Sequence, residues 1–215
     1  MDYLEKSIEF HDPNGNWADA NLKLIFTEID ATRSDLIRTV SISYPSQYFQ
    51  YYQKDEEKEV SYTVQGDSCE VLLNGSAVFS QDEEKDFKLN CERADLWKKY
   101  YTFLYGLPMN LKDDGVVVHP EVVTEEFNGE EYYSITVTFD ENVGSDIYYI
   151  YFDKSDYSMQ GYRFQHDLNN HAGEYITLHG LIEHNEMKIP KTRSWYRNLS
   201  DEYLATDELE GIESL

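Results

Sequence analysis

NCERADLWKKYYTFLYG (90–106) stands apart from the sequence around it. Leu96, Trp97, Tyr100, Tyr101, Leu104 and Tyr105 fall at i, i+1, i+4, i+5, i+8 and i+9, one broad apolar stripe on an α-helix. Asn90 is placed to cap the N-terminus, Glu92 sits in the first turn, and Gly106 followed by Pro108 ends the helix. A helix over 91–105 with this much ring surface must cover something. The partner the chain offers is β-sheet.

Elsewhere the hydrophobic period is mostly two. Leu22, Leu24 and Phe26 alternate with Asn21, Lys23 and Ile25, and Leu36, Arg38, Val40, Ile42 and Tyr44 with Thr39, Ser41 and Ser43. Tyr44-Pro45-Ser46 marks a turn, QYFQYY (47–52) reads as a third strand, and further strands are expected at 58–65, 69–73 and 76–80, the last two joined at Asn74-Gly75. Tyr133, Ile135, Val137 and Phe139 face one way, and IYYIYF (147–152) is apolar on both faces, as in a central strand. MQGYRFQH (159–166), EYITLHGLIEH (174–184) and a run near 192–198 continue the pattern, while the chain end, EYLATDELEGIESL, reads equally as strand or helix. A short helix over 3–11 with Leu4, Ile8 and His11 on one side, ended by DPNGNW (12–17), opens the chain. The reading is a mainly β, α+β protein: one domain over 1–215 with about ten strands and two helices.

The 215 residues suffice for a full core, and 40% of them are hydrophobic, so the chain is globular. Its 19 tyrosines suit half-buried sheet surfaces, where the ring packs and the hydroxyl reaches water. Net charge is 18 − 42 = −24, which repels phosphate backbones and argues against nucleic acid and anionic membranes as partners. Cationic partners and divalent ions remain compatible, although solubility alone accounts for the charge. Cys69 and Cys91 allow one disulfide in an oxidising compartment without requiring it. No apolar run reaches the roughly 20 residues of a spanning helix, and MDYLEKSIEF lacks the basic start and apolar core of a signal peptide.

Four of the six histidines lie within HDLNNHAGEYITLHGLIEH (166–184). A hairpin with its loop centred near Asn170 would set His166 opposite Glu174, His179 opposite Gly161 and His184 opposite Asp156. His179 and His184 then occupy opposite faces, so the four do not converge, and His179 is the one expected to point inward. His166, His171 and Glu174 are the weak metal candidates; no zinc-type spacing supports them. DEEKE (55–59) and DEEKD (82–86) read as solvated loops. DENVGSD (140–146), with Asp140, Glu141 and Asp146, reads as a turn and not a calcium loop. Nucleophile elbow, phosphate loop and dinucleotide fingerprint are absent, so neither a catalytic residue nor a cofactor is assigned. Arg163, among Tyr162, Phe164 and His179, calls for a partner or an anionic ligand unless it points at water.

YYTFLYGLPMNLKDDGVVV (100–118), EKSIEFHDPNGNWADANLKLIFTE (5–28) and GEEYYSITVTFDENVGSDIYYIYFDKSDYSMQGYRF (129–164) together resemble an uncharacterised family of exported proteins, mainly from Bacteroidetes. The resemblance covers nearly the whole chain and implies a fold of the LolA or LppX type. That fold is a strongly curved antiparallel sheet, an incomplete barrel, closed by helices over an apolar cavity. It also implies an exported, periplasmic or cell-envelope protein. It carries no activity and no catalytic residues.

The expected function is therefore a non-enzymatic carrier or binder of an apolar ligand, a lipid or the acyl chains of a lipoprotein. Candidate cavity residues are Leu24, Phe26, Val40, Ile42, Trp97, Tyr101, Tyr105, Ile135, Val137 and Phe139, with Arg163 and His179 beside them. Two rivals stand against it: a structural or protein-interaction module of the envelope, and a metal-assisted hydrolase using the hairpin from His166 to Glu174. Ligand identity and oligomeric state are not readable from the sequence.

Overall fold

The computed structural model describes residues 3–30, 32, 35–55, 58–140, 145–166 and 171–215. Asn170, Glu141, Glu56 and Glu57 lie outside the described residues. In chain order come α1 (Tyr3–His11), a 3-10 turn (Asn16–Asp19), β1 (Asn21–Asp30), β2 (Leu36–Ser43), β3 (Tyr48–Lys54), β4 (Glu59–Gln65), β5 (Ser68–Leu73), α2 (Gln81–Phe87) and α3 (Cys91–Gly106). A second 3-10 turn (Met109–Lys112) leads to β6 (Val116–Phe127), β7 (Glu130–Phe139), β8 (Ile147–Phe152), β9 (Met159–Gln165), β10 (Gly173–His184), β11 (Met187–Arg197) and β12 (Tyr203–Ser214). The strands form one 12-stranded sheet in the order β5-β4-β3-β2-β1-β12-β11-β10-β9-β8-β7-β6, antiparallel and not closed. Two compact units divide the chain: the α3 unit, residues 16–106 and 207–215, and the α1 unit, residues 1–15 and 107–206.

In the α3 unit the period-two pattern sets the register. Leu22 pairs with Ile42, Leu24 with Val40 and Phe26 with Arg38, and the face continues through Phe49, Tyr51, Tyr62 and Val64. Leu24, Phe26 and Val40 have no exposed surface. A one-residue slip would turn this whole set to solvent, so burial itself fixes the pairing. Residues 76–80 do not form a strand; Ser76 only bridges back to Leu73 around the Asn74-Gly75 turn. The run 82–86 lies in α2 and not in a loop. Ser80 accepts from the Glu83 amide while the Glu83 carboxylate accepts from the Ser80 amide, a capping box that satisfies two otherwise unpaired donors.

In the α1 unit β6 is a strand that the alternation did not show. Pro120 interrupts it and the register shifts between Val118 and Val122, both tolerable because β6 is an edge of the sheet. The end of the chain resolves as strand β12. β9 and β10 pair with Glu174 opposite Phe164 and Thr177 opposite Gly161, two residues out from the expected register. The faces are preserved because the shift is even. Phe127 folds onto this sheet and stacks on Tyr151 at 4.0 Å, directly above Gly161. A Cβ at Gly161 would meet the Phe127 ring and the Ile176 carbonyl within 2.5 Å. Gly161→Ala is expected to cost about 1–3 kcal/mol through overpacking; an unchanged melting temperature would contradict this seating of Phe127.

Helix α1 is held by polar contacts at both ends. Lys6 donates to the Tyr157 hydroxyl at 2.8 Å and lies 4.2 Å from that ring's centre. At the other end His11 is fully buried, its Nδ1 2.6 Å from the Lys188 carbonyl of β11 and its Nε2 accepting the Met159 amide of β9 at 2.9 Å. The pairing of β9 with β10 stops at Gly161, so the imidazole supplies the partner that β10 no longer gives to Met159. The tautomer with the proton on Nδ1 satisfies both contacts.

Candidate functional site

The aromatic helix lies on the sheet face of its own unit. Asn90 caps it as expected, its side chain accepting from the Arg93 amide at 2.9 Å. Only one row of the apolar stripe is buried: Ala94, Tyr101, Leu104 and Tyr105 face the sheet, Trp97 is half-buried, and Leu96 and Tyr100 are exposed. Pairs at i and i+1 sit 100° apart on a helix, so a doubled stripe is wider than one sheet contact can cover.

Rings make most of this contact. Trp97 stacks on Tyr51 of β3 at 4.9 Å, Tyr51 stacks on Tyr101 at 5.4 Å, and Phe26 of β1 lies within 5.8 Å of both Tyr101 and Tyr105. Arg93 covers Trp97 at 4.2 Å. Such pairs contribute roughly 0.5–1.5 kcal/mol each beyond the area they bury. The helix start is tied by a disulfide, Cys91 to Cys69 of β5. The bond closes a loop of sequence separation 22. Cys91→Ser should lower stability by about 3 kcal/mol under oxidising conditions and by nothing further under reducing ones, measured by denaturant titration in both states; equal midpoints throughout would contradict it.

Beneath the rings sits a buried charge. Arg38 occupies a period-two position between Leu36 and Val40, so β-pairing turns it inward opposite Phe26. Its guanidinium pairs with Glu28, diagonal to it on β1, and donates to the Tyr101 hydroxyl at 3.3 Å. Both charged side chains are about nine-tenths buried, with 9% and 11% exposure. Burial works against the guanidinium charge, but Tyr101, Tyr51 and Asp207 more than offset it and hold its pKa above the ordinary value. Burial pushes the Tyr51 phenol up to about 12, and burial with Tyr51 beside it holds Tyr101 well above its usual range. Neither hydroxyl ionises near neutrality, so the site offers apolar walls, neutral phenols and one paired cation.

The candidate cavity residues fall into separate groups. Leu24, Phe26, Val40, Ile42, Trp97, Tyr101 and Tyr105 share the covered face of the α3 unit. Ile135 and Val137 are buried on one face of the α1 unit, with half-buried Phe139 in line. Arg163 lies on the opposite face of that unit: it pairs with Tyr149 and Tyr175, whereas Ile135 lines up with Ile150, Tyr162 and Ile176. His179 is exposed and not inward-facing, at the mouth of a pocket of about 270 Å³ where β9 and β10 diverge. The buried histidine is His11, which its helical spacing with Leu4 already placed on the inner side.

The metal candidates do not assemble. His166 is exposed and meets Asp146 at 2.8 Å, His171 is exposed in a left-handed conformation, and Glu174 lies across from Phe164 and Arg197. Burial raises the Glu174 pKa, with Arg197 and His166 working against it. Among the described residues no group of three or more His, Cys, Asp or Glu side chains is placed to hold a metal ion. Sequence reasoning passed over Arg38, Glu28 and Asp207, although Glu28 continues the inward parity of Leu22, Leu24 and Phe26.

Among solved structures the chain is similar to a LolA superfamily protein from Nitrosomonas europaea, with a TM-score of 0.54 and 10% identity over 99% of this chain and 92% of that one. It is also similar to a domain from Vibrio parahaemolyticus described as an outer membrane lipoprotein-sorting protein, with a TM-score of 0.54 and 11% identity over 98% and 91%. A DUF1329 family protein from Desulfovibrio piger matches with a TM-score of 0.50 and 9% identity over 100% and 94%. At these identities the likeness is one of fold, and the fold is LolA-like. No curated protein matches, and among the described residues no helix is long and apolar enough to cross a membrane. The model of DUF6503, a family of unknown function, matches residues 1–213, and the chain belongs to that family.

Proposed function

We propose that the protein is a cell-envelope carrier that binds an apolar ligand, a lipid or the acyl chains of a lipoprotein, against the sheet face beneath α3. The observation that carries this reading is the make-up of that face. Leu22, Leu24, Phe26, Val40, Ile42 and Phe49 share one sheet face, each 1% exposed or less, and α3 meets that face at Phe26 and Tyr51 through the rings of Trp97, Tyr101 and Tyr105. Each ring pair contributes only roughly 0.5–1.5 kcal/mol beyond the area it buries, so an apolar chain that replaces ring contacts with its own burial competes with them. The LolA-like fold supports the assignment, as does the name of the Vibrio parahaemolyticus domain. The Cys69–Cys91 disulfide suits an oxidising compartment outside the cytosol.

The test uses cis-parinaric acid, which fluoresces only when withdrawn from water and accepts excitation from tryptophan. Trp97 stands at the edge of the covered face, so the reading expects saturable transfer at one probe per chain, strongly reduced in Trp97→Phe. Transfer that never saturates, or that is indifferent to Trp97, would remove the site from beneath α3.

A further inference from the structure

The sheet face of the α1 unit that carries Arg163 holds chemistry for which an apolar ligand has no use. Register lines up Tyr149, Arg163, Tyr175 and Tyr196 in one row across β8, β9, β10 and β11. Tyr175 and Tyr196 stack at 5.0 Å with 12° between their planes, and Phe127 meets Tyr175 edge-on at 5.9 Å. Apart from the buried Phe127, these rings are half-buried, so the row is a platform of ring faces and edges partly open to solvent.

Arg163 sits in the middle of it. Its guanidinium lies 5.6 Å from the Tyr175 ring centre, and it forms no ion pair among the described residues. Its buried Nε has no hydrogen-bond partner there either. The chain has 42 acidic side chains to 18 basic ones, so an arginine left without a carboxylate is a departure from what chance pairing would give. Two residues along the same strand face, Gln165 is 7% exposed and its Oε1 also lacks a partner among the described residues. Nearby, Asn198 spends its amide N–H on the Phe164 carbonyl at 2.8 Å and leaves its buried Oδ1 unpaired. Buried polar atoms without partners are costly.

The combination selects a ligand class. A lipid tail would leave the guanidinium unpaired. A polyanion such as nucleic acid is repelled by a net charge of −24. A small inorganic anion would make no use of the rings. A sugar ring bearing one carboxylate uses both features: its C–H face lies on tyrosine, and its carboxylate takes the planar arginine fork. We propose that the row Tyr149–Arg163–Tyr175–Tyr196 is a binding platform for an acidic sugar of the hexuronate type, separate from the face beneath α3.

Saturation-transfer NMR and calorimetry on the full chain test this, with methyl β-D-glucuronide as probe and methyl β-D-glucoside as its neutral counterpart. Saturation should reach the glucuronide ring protons. The glucoside should bind more weakly by about tenfold or more, as should the glucuronide to Arg163→Gln, because each loses a charge-assisted contact. Tyr175→Ala should abolish the ring-proton signal while circular dichroism confirms that the variant is folded. Absent transfer to the glucuronide on the unmodified protein, or equal affinity for the two glycosides, would overturn the proposal without any variant. Undiminished binding to Arg163→Gln would do the same. Parinaric acid binding is read independently, so failure here leaves the α3 site untouched, and the reverse holds.

Discussion

Arg38→Ala is expected to destabilise the protein by about 3–5 kcal/mol, because it leaves a buried carboxylate without its counter-charge. Only 11% of the Glu28 side chain is exposed, so its carboxylate would either stay charged at high cost or take up a proton. The Tyr101 hydroxyl loses its donor in the same step. The joint variant Glu28→Leu with Arg38→Leu should recover most of that loss, since removing both charges ends the desolvation penalty. Denaturant titration of the single and joint variants separates the outcomes. A single variant within about 1 kcal/mol of the parent would mean that the pair is solvated like a surface ion pair. A joint variant as unstable as the single one would assign the role to packing instead of charge.

Acid should unfold the protein through His11. Burial lowers its pKa to about 4 from an ordinary 6.5, with the Lys188 carbonyl working the other way and the positive charges of Arg193 and Lys188 adding to the fall. Above pH 6.5 the imidazole is neutral in both the folded and unfolded chain, and its full contribution is present. As pH falls from 6.5 toward 4 the unfolded chain takes up a proton that the folded chain refuses, so stability is lost across that window. By pH 4 the loss reaches about 3–4 kcal/mol. His11→Gln should be less stable than the parent near neutrality and should lose that pH dependence. Parallel stability curves for the two proteins between pH 7 and 4 would show that His11 does not titrate as its burial requires.

How far the sequence revealed this architecture depended on whether local pattern or long-range pairing set each element. The paired strands β1 and β2, the helix α3 and its Asn90 cap were legible because alternation, stripe and cap are all local. The edge strand β6 was hidden by Pro120, whose meaning depends on the strand having no outer neighbour, a fact of topology. β12 was ambiguous because EYLATDELEGIESL carries neither period cleanly and is fixed as a strand by pairing in the sheet. DEEKD was read as loop because no apolar face marked it; α2 buries no residue, and only the Ser80–Glu83 box announced it. Alternation places Leu24, Phe26, Val40 and Ile42 on one face, and the same face also carries Arg38 and Glu28. Parity alone marks Arg38 and Glu28 as inward-facing, against the usual exposure of charged side chains. The histidine hairpin drew attention by composition, yet the histidine with the most constrained surroundings is His11, marked by one helical spacing and by nothing else.

The most direct test of the carrier reading is native mass spectrometry of the protein isolated gently from the cells that make it. The account predicts a population heavier than the bare chain by the mass of a lipid or acylated peptide, with the increment lost on denaturation and reduced in Trp97→Ala or Tyr101→Ala. The bare chain mass alone, from a preparation that still binds added parinaric acid at no more than background, would contradict it.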